Sequence, residues 1–163
     1  LLVSETSVIV ELERAALLER AFQLPSEIYV ADLLFHKELK GELGDRLVRL
    51  GLKVAELDGR ELSAATVLGR KNGRLSASDT FAFALAKNRA WQLVSGDAGL
   101  RQISSAEQIE AHEVLWLVDQ LEVTEICCRI ELEQALRRAA AHPRCRLPEK
   151  GVGERLSRYR SSV

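Results

Sequence analysis

Short apolar runs typical of β-strands alternate along the whole chain with segments that have the spacing of amphipathic helices. The strand-like runs are Leu1–Val3, Ile28–Val30, Lys53–Leu57, Trp91–Val94 and His112–Leu115. Strands that are separated by helices cannot be joined by tight hairpins, so this order is typical of parallel strands covered by helices on both faces. We therefore predict an α/β fold, a three-layer α/β/α sandwich with a mostly parallel central sheet.

The helix that follows Ser76 has the clearest pattern in the sequence. Ser76 and Asp79 have the spacing of a capping box, and an apolar face that includes Phe81 and Leu85 follows them. In the helix predicted over Thr124–Ala141 we expect Ile126, Ile130 and Leu136 to face the core. The other predicted helices cover Val8–Arg20, Asp32–Leu43, Asp45–Leu50, Arg60–Lys71, a short segment around Leu100 and Arg101, Thr124–Ala141 and Glu149–Arg160.

Size, hydrophobicity and charge further limit which class of protein this chain can belong to. Its 163 residues, 47% of them hydrophobic, are enough for one domain with one sizeable core. No apolar run reaches the roughly 18 residues of a membrane helix, and no secretory signal is recognisable, so we expect a soluble cytoplasmic protein without membrane contact.

Charge is distributed unevenly along the chain. Residues 137–163 contain eight Lys or Arg and two Asp or Glu, whereas residues 1–136 carry a net charge of −7. The C-terminal end is therefore basic and the rest acidic.

Four acidic residues stand near the predicted carboxyl ends of strands, where ligands bind in open α/β sheets. Glu5 follows the first strand, Glu38 lies in the helix after the second, Asp79 lies in the first turn of its helix, and Asp97 follows the Trp91–Val94 strand. If they converge, their repulsion must be offset by a cation, and hard oxygen ligands suit Mg²⁺ or Mn²⁺. Carboxylate-bound Mg²⁺ is the usual device of phosphoryl chemistry.

Each acid also has a structural interpretation when it is taken alone. Asp79 can serve the capping box, Asp97 can be a turn residue, and Glu5 can be a solvent-facing turn residue. Asp32 and Glu42 are alternatives to Glu38 as the acid that the segment after the second strand contributes. The pattern of acids after successive strands is what favours a shared site.

Three segments resemble the signature regions of PIN-domain ribonucleases, including the VapC-type toxins of toxin–antitoxin pairs. They are Leu2–Val10 (LVSETSVIV), Leu75–Ala86 (LSASDTFAFALA) and Leu93–Arg101 (LVSGDAGLR), and their order and spacing are also similar. The run His112–Leu121 (HEVLWLVDQL) is similar to the closing strand and helix of such chains. The resemblance implies a PIN-like domain over residues 1–122, followed by a basic helical C-terminal extension over residues 123–163 that packs on it.

The resemblance further implies a Mg²⁺- or Mn²⁺-dependent endoribonuclease that acts on RNA. Glu5, Glu38, Asp79 and Asp97 then form its metal-binding and catalytic cluster, with an antitoxin protein and a second copy of the chain as partners. Glu5 stands where the family usually has Asp, so a catalytically weak nucleic-acid-binding or protein-binding module is the alternative. Ser7 and Ser95 are candidates to hold the carboxylates. Arginines of the basic end could contact RNA backbone: Arg137, Arg138, Arg144, Arg146, Arg155, Arg158 and Arg160.

Overall fold

A five-stranded sheet lies at the centre of the computed structural model, which describes residues 1–161. All neighbouring strands run parallel, in the order β3-β2-β1-β4-β5. The strands are β1 (Leu2–Ser4), β2 (Ile28–Ala31), β3 (Lys53–Ala55), β4 (Gln92–Val94) and β5 (Ala111–His112). The chain leaves β1 toward β2 on one side and returns to β4 on the other. The carboxyl ends of β1 and β4 therefore meet at the point where strand order reverses, which is where open parallel sheets bind ligands.

Helices connect the strands and cover both faces of the sheet. Across residues 1–161, no helix combines the length with the apolar composition that a bilayer crossing requires. Residues Phe35–Leu39 form a π-helical turn. The helices are α1 (Thr6–Arg14), α2 (Leu18–Ala21), α3 (Asp32–Leu34), α4 (Glu42–Leu50), α5 (Gly59–Lys71), α6 (Ala77–Arg89), α7 (Ala98–Ala106), α8 (Val114–Val123), α9 (Arg129–Ala141) and α10 (Glu149–Arg160).

Successive residues of the central strands point to two separate apolar layers. Leu2 and Val94 belong to the layer between the sheet and helices α1, α8, α9 and α10. Val3 and Leu93 belong to the layer on the other face, against α5, α6 and α7. This alternation follows from the period of two in a strand, and it buries the sheet on both sides. The predicted three-layer α/β/α sandwich is thus confirmed.

The C-terminal helices α9 and α10 share the apolar layer of α1 and α8. Leu132 and Leu136 of α9 are fully buried there, and Val152 of α10 is also buried in it. Ion pairs reinforce the contact, because Arg155 of α10 donates to Asp119 of α8 at 2.6 Å. The extension therefore packs on the sheet domain, although the boundary after residue 122 stays a prediction. Residues 162 and 163 of the predicted extension lie outside the described residues.

Two predicted helices are each broken in the structure. The helix predicted over Val8–Arg20 is divided into α1 and α2, because Ala16 adopts a left-handed conformation with φ of 56°. The Leu17 N–H then donates to the Leu12 carbonyl at 2.9 Å, a bond typical of a Schellman helix end. The helix predicted over Asp32–Leu43 is instead α3 and the π-helical turn, and Gly41, with φ of 112°, separates that turn from α4.

The segment around the last strand was also predicted wrongly. The strand expected over His112–Leu115 ends at His112, and α8 begins at Val114. The helix expected over Thr124–Ala141 begins only at Arg129, because Glu125 takes a positive φ after α8 ends. Ile130 was expected to face the core, yet it is 68% exposed, and Leu132 and Leu136 occupy the inner face of α9.

Candidate active site

Glu5 lies at the carboxyl end of the central strand β1, in the N-cap position of α1, but its side chain does not make a capping hydrogen bond. Its side chain is almost fully buried, with 3% of the residue exposed. The Glu5 Oε1 atom accepts a hydrogen bond from the Ser7 hydroxyl at 2.7 Å and another from the Gly96 N–H at 2.8 Å. The first bond confirms Ser7 as a residue that holds this carboxylate. The second joins the turn after β1 to the turn after β4.

Asp97 follows the neighbouring strand β4 and caps α7. Its Oδ1 atom accepts the Leu100 N–H at 2.8 Å, as expected for an N-cap. Ser95 holds the main chain of this turn rather than the carboxylate, because its hydroxyl accepts the Asp97 N–H at 3.0 Å. The guanidinium of Arg74 lies 3.8 Å from Asp97 Oδ1. The Asp97 Oδ1 atom thus caps α7, and the same atom lies near the guanidinium of Arg74.

Asp79 lies in the first turn of α6 and completes the predicted capping box. Its Oδ2 atom accepts the Ser76 N–H at 2.8 Å, and the Ser76 hydroxyl accepts the Asp79 N–H at 3.1 Å. The start of α6 is tied to the start of α1, because the Thr6 N–H donates to the buried Ser78 hydroxyl at 3.0 Å. This long-range bond places Asp79 next to Glu5.

Burial and one neighbouring carboxyl change the acidity of Glu5. Its pKa is raised to about 7, mainly by burial and in addition by hydrogen bonding and repulsion with the adjacent Asp79 carboxyl. The donors Ser7 and Gly96 oppose this shift only in part. Among the described residues, no donor reaches the buried Glu5 Oε2 atom. The Glu5 and Asp79 carboxyls can hydrogen-bond to each other only when one of them carries a proton, so an uncompensated negative charge is left here above neutral pH.

One cavity of about 630 Å³ brings the four predicted acids together. Glu5, Asp79, Asp97 and Glu38 all line it. Glu38 reaches the cavity from the π-helical turn, a rare element that is often found at functional sites. The lining contains neither Asp32 nor Glu42, so the cavity favours Glu38 over both alternatives.

Sharing a cavity does not make the acids one compact cluster. In the part of the chain that the structure describes, no group of three or more Asp, Glu, His or Cys side chains is placed so that it could hold a metal ion. The closest association is the Glu5 and Asp79 pair. Mg²⁺ commonly binds through one or two carboxylates and keeps several waters, so this pair fits such an ion without a third protein ligand. The unpartnered Glu5 Oε2 atom is the observation that supports the fit.

Comparison with protein families agrees with this geometry. Residues 1–161 match a family model described as PIN domain (DUF3368). The chain belongs to the PIN-domain family. The match extends through α9 and α10, so the basic C-terminal helices lie inside the matched region. A search of curated proteins found no match to this chain.

PIN domains are generally nucleases, enzymes that hydrolyse the phosphodiester bonds of nucleic acids, and they typically use divalent metal ions. The acid-lined cavity at the carboxyl ends of β1 and β4 is where this PIN domain could carry out such chemistry. A phosphodiester is anionic, and the lining supplies positive charge through Arg74, Arg101 and Arg146.

The sequence patterns did not single out Glu11, a further acid of this PIN-domain cavity. Glu11 lies on α1, is only 4% exposed, and lines the cavity. Its Oε1 atom accepts from the Arg14 guanidinium at 3.0 Å and from the Arg146 N–H at 3.1 Å. A signal was present, because Glu11 lies one helical turn after Val8 and beside Leu12 on the buried face of α1. An acid on an apolar face indicates a partner or a site.

Proposed function

We propose that this PIN-domain protein is a metal-dependent endoribonuclease that hydrolyses phosphodiester bonds in RNA. The observation that carries the proposal is the buried Glu5 carboxyl, which has an oxygen without a donor among the described residues and lies beside Asp79 in an acid-lined cavity. Such a pair is destabilised by its own charge unless a proton or a cation neutralises it. We therefore propose Glu5, Glu38, Asp79 and Asp97 as the metal-binding and catalytic residues.

Each of these residues has a distinct part in the proposed reaction. Glu5 and Asp79 would hold Mg²⁺ or Mn²⁺, with Ser7 and Gly96 fixing the Glu5 carboxylate. When bound, such an ion polarises the scissile phosphate and lowers the pKa of a coordinated water. Asp97 keeps Oδ1 on the Leu100 N–H, which leaves Oδ2 to orient the attacking water. Glu38, an exposed carboxylate at the cavity, would accept the proton of that water.

Arginines on the cavity wall would complete the proposed site. Arg74 lies 3.8 Å from Asp97 Oδ1, and Arg101 donates to the Ser95 carbonyl at 2.8 Å, so both are positioned by the turn that carries Asp97. Guanidinium groups stabilise the negative charge that develops on a phosphoryl group during hydrolysis. They also reduce the repulsion between the acidic lining and a polyanionic substrate.

Cleavage of a mixed RNA pool tests the proposal. We expect the purified protein to cut internal phosphodiester bonds when Mg²⁺ or Mn²⁺ is added, and to stop when EDTA is added in excess. An Asp79→Asn variant purified in the same way controls for contaminating ribonuclease and should remain at background. Equal cleavage by the parent and by Asp79→Asn would contradict the assignment of the site.

A catalytically weak binding module is the second candidate function. Two observations favour it. The pKa of Glu5 is raised to about 7, so only about half of the Glu5 carboxyls are ionised and able to bind a cation at neutral pH. In addition, no three metal-capable side chains of the described residues form one group. This candidate predicts RNA binding without cleavage at any concentration of Mg²⁺ or Mn²⁺. Restored cleavage in a Glu5→Asp variant would identify the longer side chain as the cause.

The more specific proposals rest on the resemblance to VapC-type toxins. They are that the protein acts in the cytoplasm as the toxin of a toxin–antitoxin pair, that an antitoxin protein blocks its cavity, and that it forms a homodimer. The test is expression in a bacterial host, where growth should stop and should recover when the reading frame next to the gene is co-expressed. Growth arrest by the Asp79→Asn variant as well would separate toxicity from the proposed nuclease activity.

A further inference from the structure

The segment that joins α9 to α10 forms one wall of the acid-lined cavity. Arg146, Leu147 and Pro148 line that cavity, and Arg144, Cys145 and Arg146 line a second groove of about 690 Å³. The two depressions adjoin each other, because they share residues of α1, of the π-helical turn and of the joining segment. The shared residues are Thr6, Ser7, Glu11, Glu38 and Arg146. Glu38 lies on the border of both depressions, so a ligand longer than the groove would reach the cavity beside Glu38.

Two polar side chains of α1, the buried Glu11 and the partly exposed Arg14, hold the main chain of this joining segment in place. The Arg14 guanidinium donates to the Arg144 carbonyl at 2.8 Å and to Glu11 Oε1 at 3.0 Å. Glu11 Oε1, in a side chain more than nine-tenths buried, also accepts the Arg146 N–H at 3.1 Å. Leu147 is buried beside them. The backbone of Arg144 and Arg146 is thus positioned by the fold, without any use of their own guanidinium groups.

Charge pairing separates these two arginines from the rest of the basic C-terminal end. Arg155 and Arg158 pair with Asp119, Arg137 and Arg160 lie beside Glu133, and Arg138 donates to the Ala15 carbonyl. Arg144 and Arg146 are exposed, and in the described part of the chain neither side chain makes a hydrogen bond or an ion pair. They are the arginines of this end that remain free to bind an anion at the cavity.

We propose that Arg144 and Arg146 bind backbone phosphates of the RNA strand next to the bond that is cut, so that the C-terminal segment forms part of the substrate site. The inference rests on the proposed ribonuclease function. Guanidinium groups bind phosphate oxygens with two parallel hydrogen bonds, and two such groups fix the course of a strand. A strand in the groove passes Glu38 and delivers its next phosphate to the cavity. A protein segment with acidic side chains is the competing ligand for the same two arginines.

Salt-dependent RNA binding tests the inference with a matched control. Binding of a fluorescent single-stranded RNA is measured in EDTA, where no cleavage occurs, for the parent, for R144Q/R146Q and for R137Q/R160Q. Both variants lose two positive charges from the same end of the chain. Losing two phosphate contacts should reduce the slope of log affinity against log salt by about 1.4. Between 50 and 200 mM salt, the affinity of the parent should then fall about sevenfold more than that of R144Q/R146Q.

The control variant R137Q/R160Q should keep the slope of the parent, because both arginines lie beside Glu133 and away from the cavity. With Mn²⁺ present, R144Q/R146Q should raise KM about tenfold or more and leave kcat nearly unchanged, as expected for groups that bind the substrate and the transition state equally. Thermal melts of all three proteins confirm that they are folded.

Equal slopes for R144Q/R146Q and the parent, with cleavage intact, would overturn the inference and leave the proposed function standing. The same would follow if R137Q/R160Q lost as much of the slope as R144Q/R146Q, because total charge rather than this segment would then bind RNA. Strong binding of a poly-glutamate peptide, without RNA binding, would assign the two arginines to an acidic protein. No cleavage by the parent under any metal would instead reject the proposed function itself.

Discussion

Replacing Glu5 with glutamine is expected to make the metal-free protein more stable at pH 8 and, at the same time, to abolish its nuclease activity. Glutamine keeps the shape of the side chain and removes its negative charge. The buried Glu5 carboxyl has a pKa of about 7, against 4.5 for an ordinary glutamate, because burial and Asp79 both disfavour the charged form. A pKa difference of this size corresponds to about 3 kcal/mol of unfolding free energy when the group must be ionised.

The effect of Glu5→Gln should depend on pH in a defined direction. Because the folded-state pKa is raised, the folded protein holds the Glu5 proton more tightly than the unfolded chain does between pH 4.5 and 7. The contribution of Glu5 to stability is therefore most favourable below pH 4.5, is lost as the pH rises to 7, and stays lost above it. Denaturant melts of both proteins at pH 4.5 and pH 8 measure this. An equal difference at the two pH values would contradict the raised pKa.

A bound cation should make the parent protein more stable than Glu5→Gln at pH 8, the reverse of the order expected without metal. If Glu5 and Asp79 hold Mn²⁺, adding the ion at pH 8 stabilises the parent by mass action, by about 2.7 kcal/mol at one hundred times the dissociation constant. Glu5→Gln should gain much less, because one anionic ligand is gone, and its RNA cleavage should fall at least about 100-fold. Glu42→Gln removes the same charge from an exposed glutamate outside the cavity lining and serves as the control. Mn²⁺ stabilisation that is equal in all three proteins would place the ion elsewhere.

Local sequence patterns predicted those parts of the fold that depend on local interactions. The capping box of Ser76 and Asp79 uses two side chains and two N–H groups within four residues, and it forms as expected. The helix break at Ala16 was not predictable, because alanine is a good helix former and rarely takes a left-handed conformation. Packing of α2 against the core, as its buried Leu18 and Ala21 show, outweighs that preference.

The acids of the site were predictable because topology brings them together. Glu5 and Asp97 follow adjacent parallel strands, and their turns are joined by the hydrogen bond from Gly96 to Glu5. The contribution of the C-terminal segment was not predictable from local patterns. It depends on hydrogen bonds between α1 and residues more than 120 positions away, such as the one from Arg14 to the Arg144 carbonyl. From the sequence alone, all seven arginines of the basic end were equal candidates.

The second large effect is expected at the C-terminal end of α6, far along the helix from Asp79, where a buried ion pair joins α5 to α6. The Glu61 side chain has no exposed surface, and Arg89 donates to it at 2.8 and 3.1 Å. Asn88 adds a bond at 2.9 Å, and the Asp58 N–H adds another at 2.9 Å. Hydrogen bonding with Arg89 holds the pKa of Glu61 below its usual value. Glu61 is therefore ionised in the folded protein at neutral pH.

Arg89→Ala is expected to lower the free energy of unfolding by about 3 kcal/mol, measured by denaturant melts at pH 7. Removing one partner leaves a buried charge without compensation, and such losses are commonly about 3–5 kcal/mol. The lower end applies because Arg89 itself is 30% exposed, so water screens part of the pair. Lys87→Ala is the matched control on the same helix, since the Lys87 pair with Glu107 is half-exposed, and it should leave stability almost unchanged.

A second substitution distinguishes the loss of the charge pair from the loss of side-chain packing. Arg89 also lies over the Trp91 ring at 5.0 Å and donates to the Glu56 carbonyl, so Arg89→Ala removes contacts other than the pair. Adding Glu61→Gln to Arg89→Ala removes the unpaired charge, and the single amide oxygen of glutamine still accepts from one of the two remaining donors, Asn88 or the Asp58 N–H. If the buried charge causes most of the loss, the double variant should recover at least half of it. It should also lose less stability on going from pH 4 to pH 8 than Arg89→Ala does, because an unpaired buried carboxylate favours protonation. No recovery in the double variant would assign the loss to packing around Trp91.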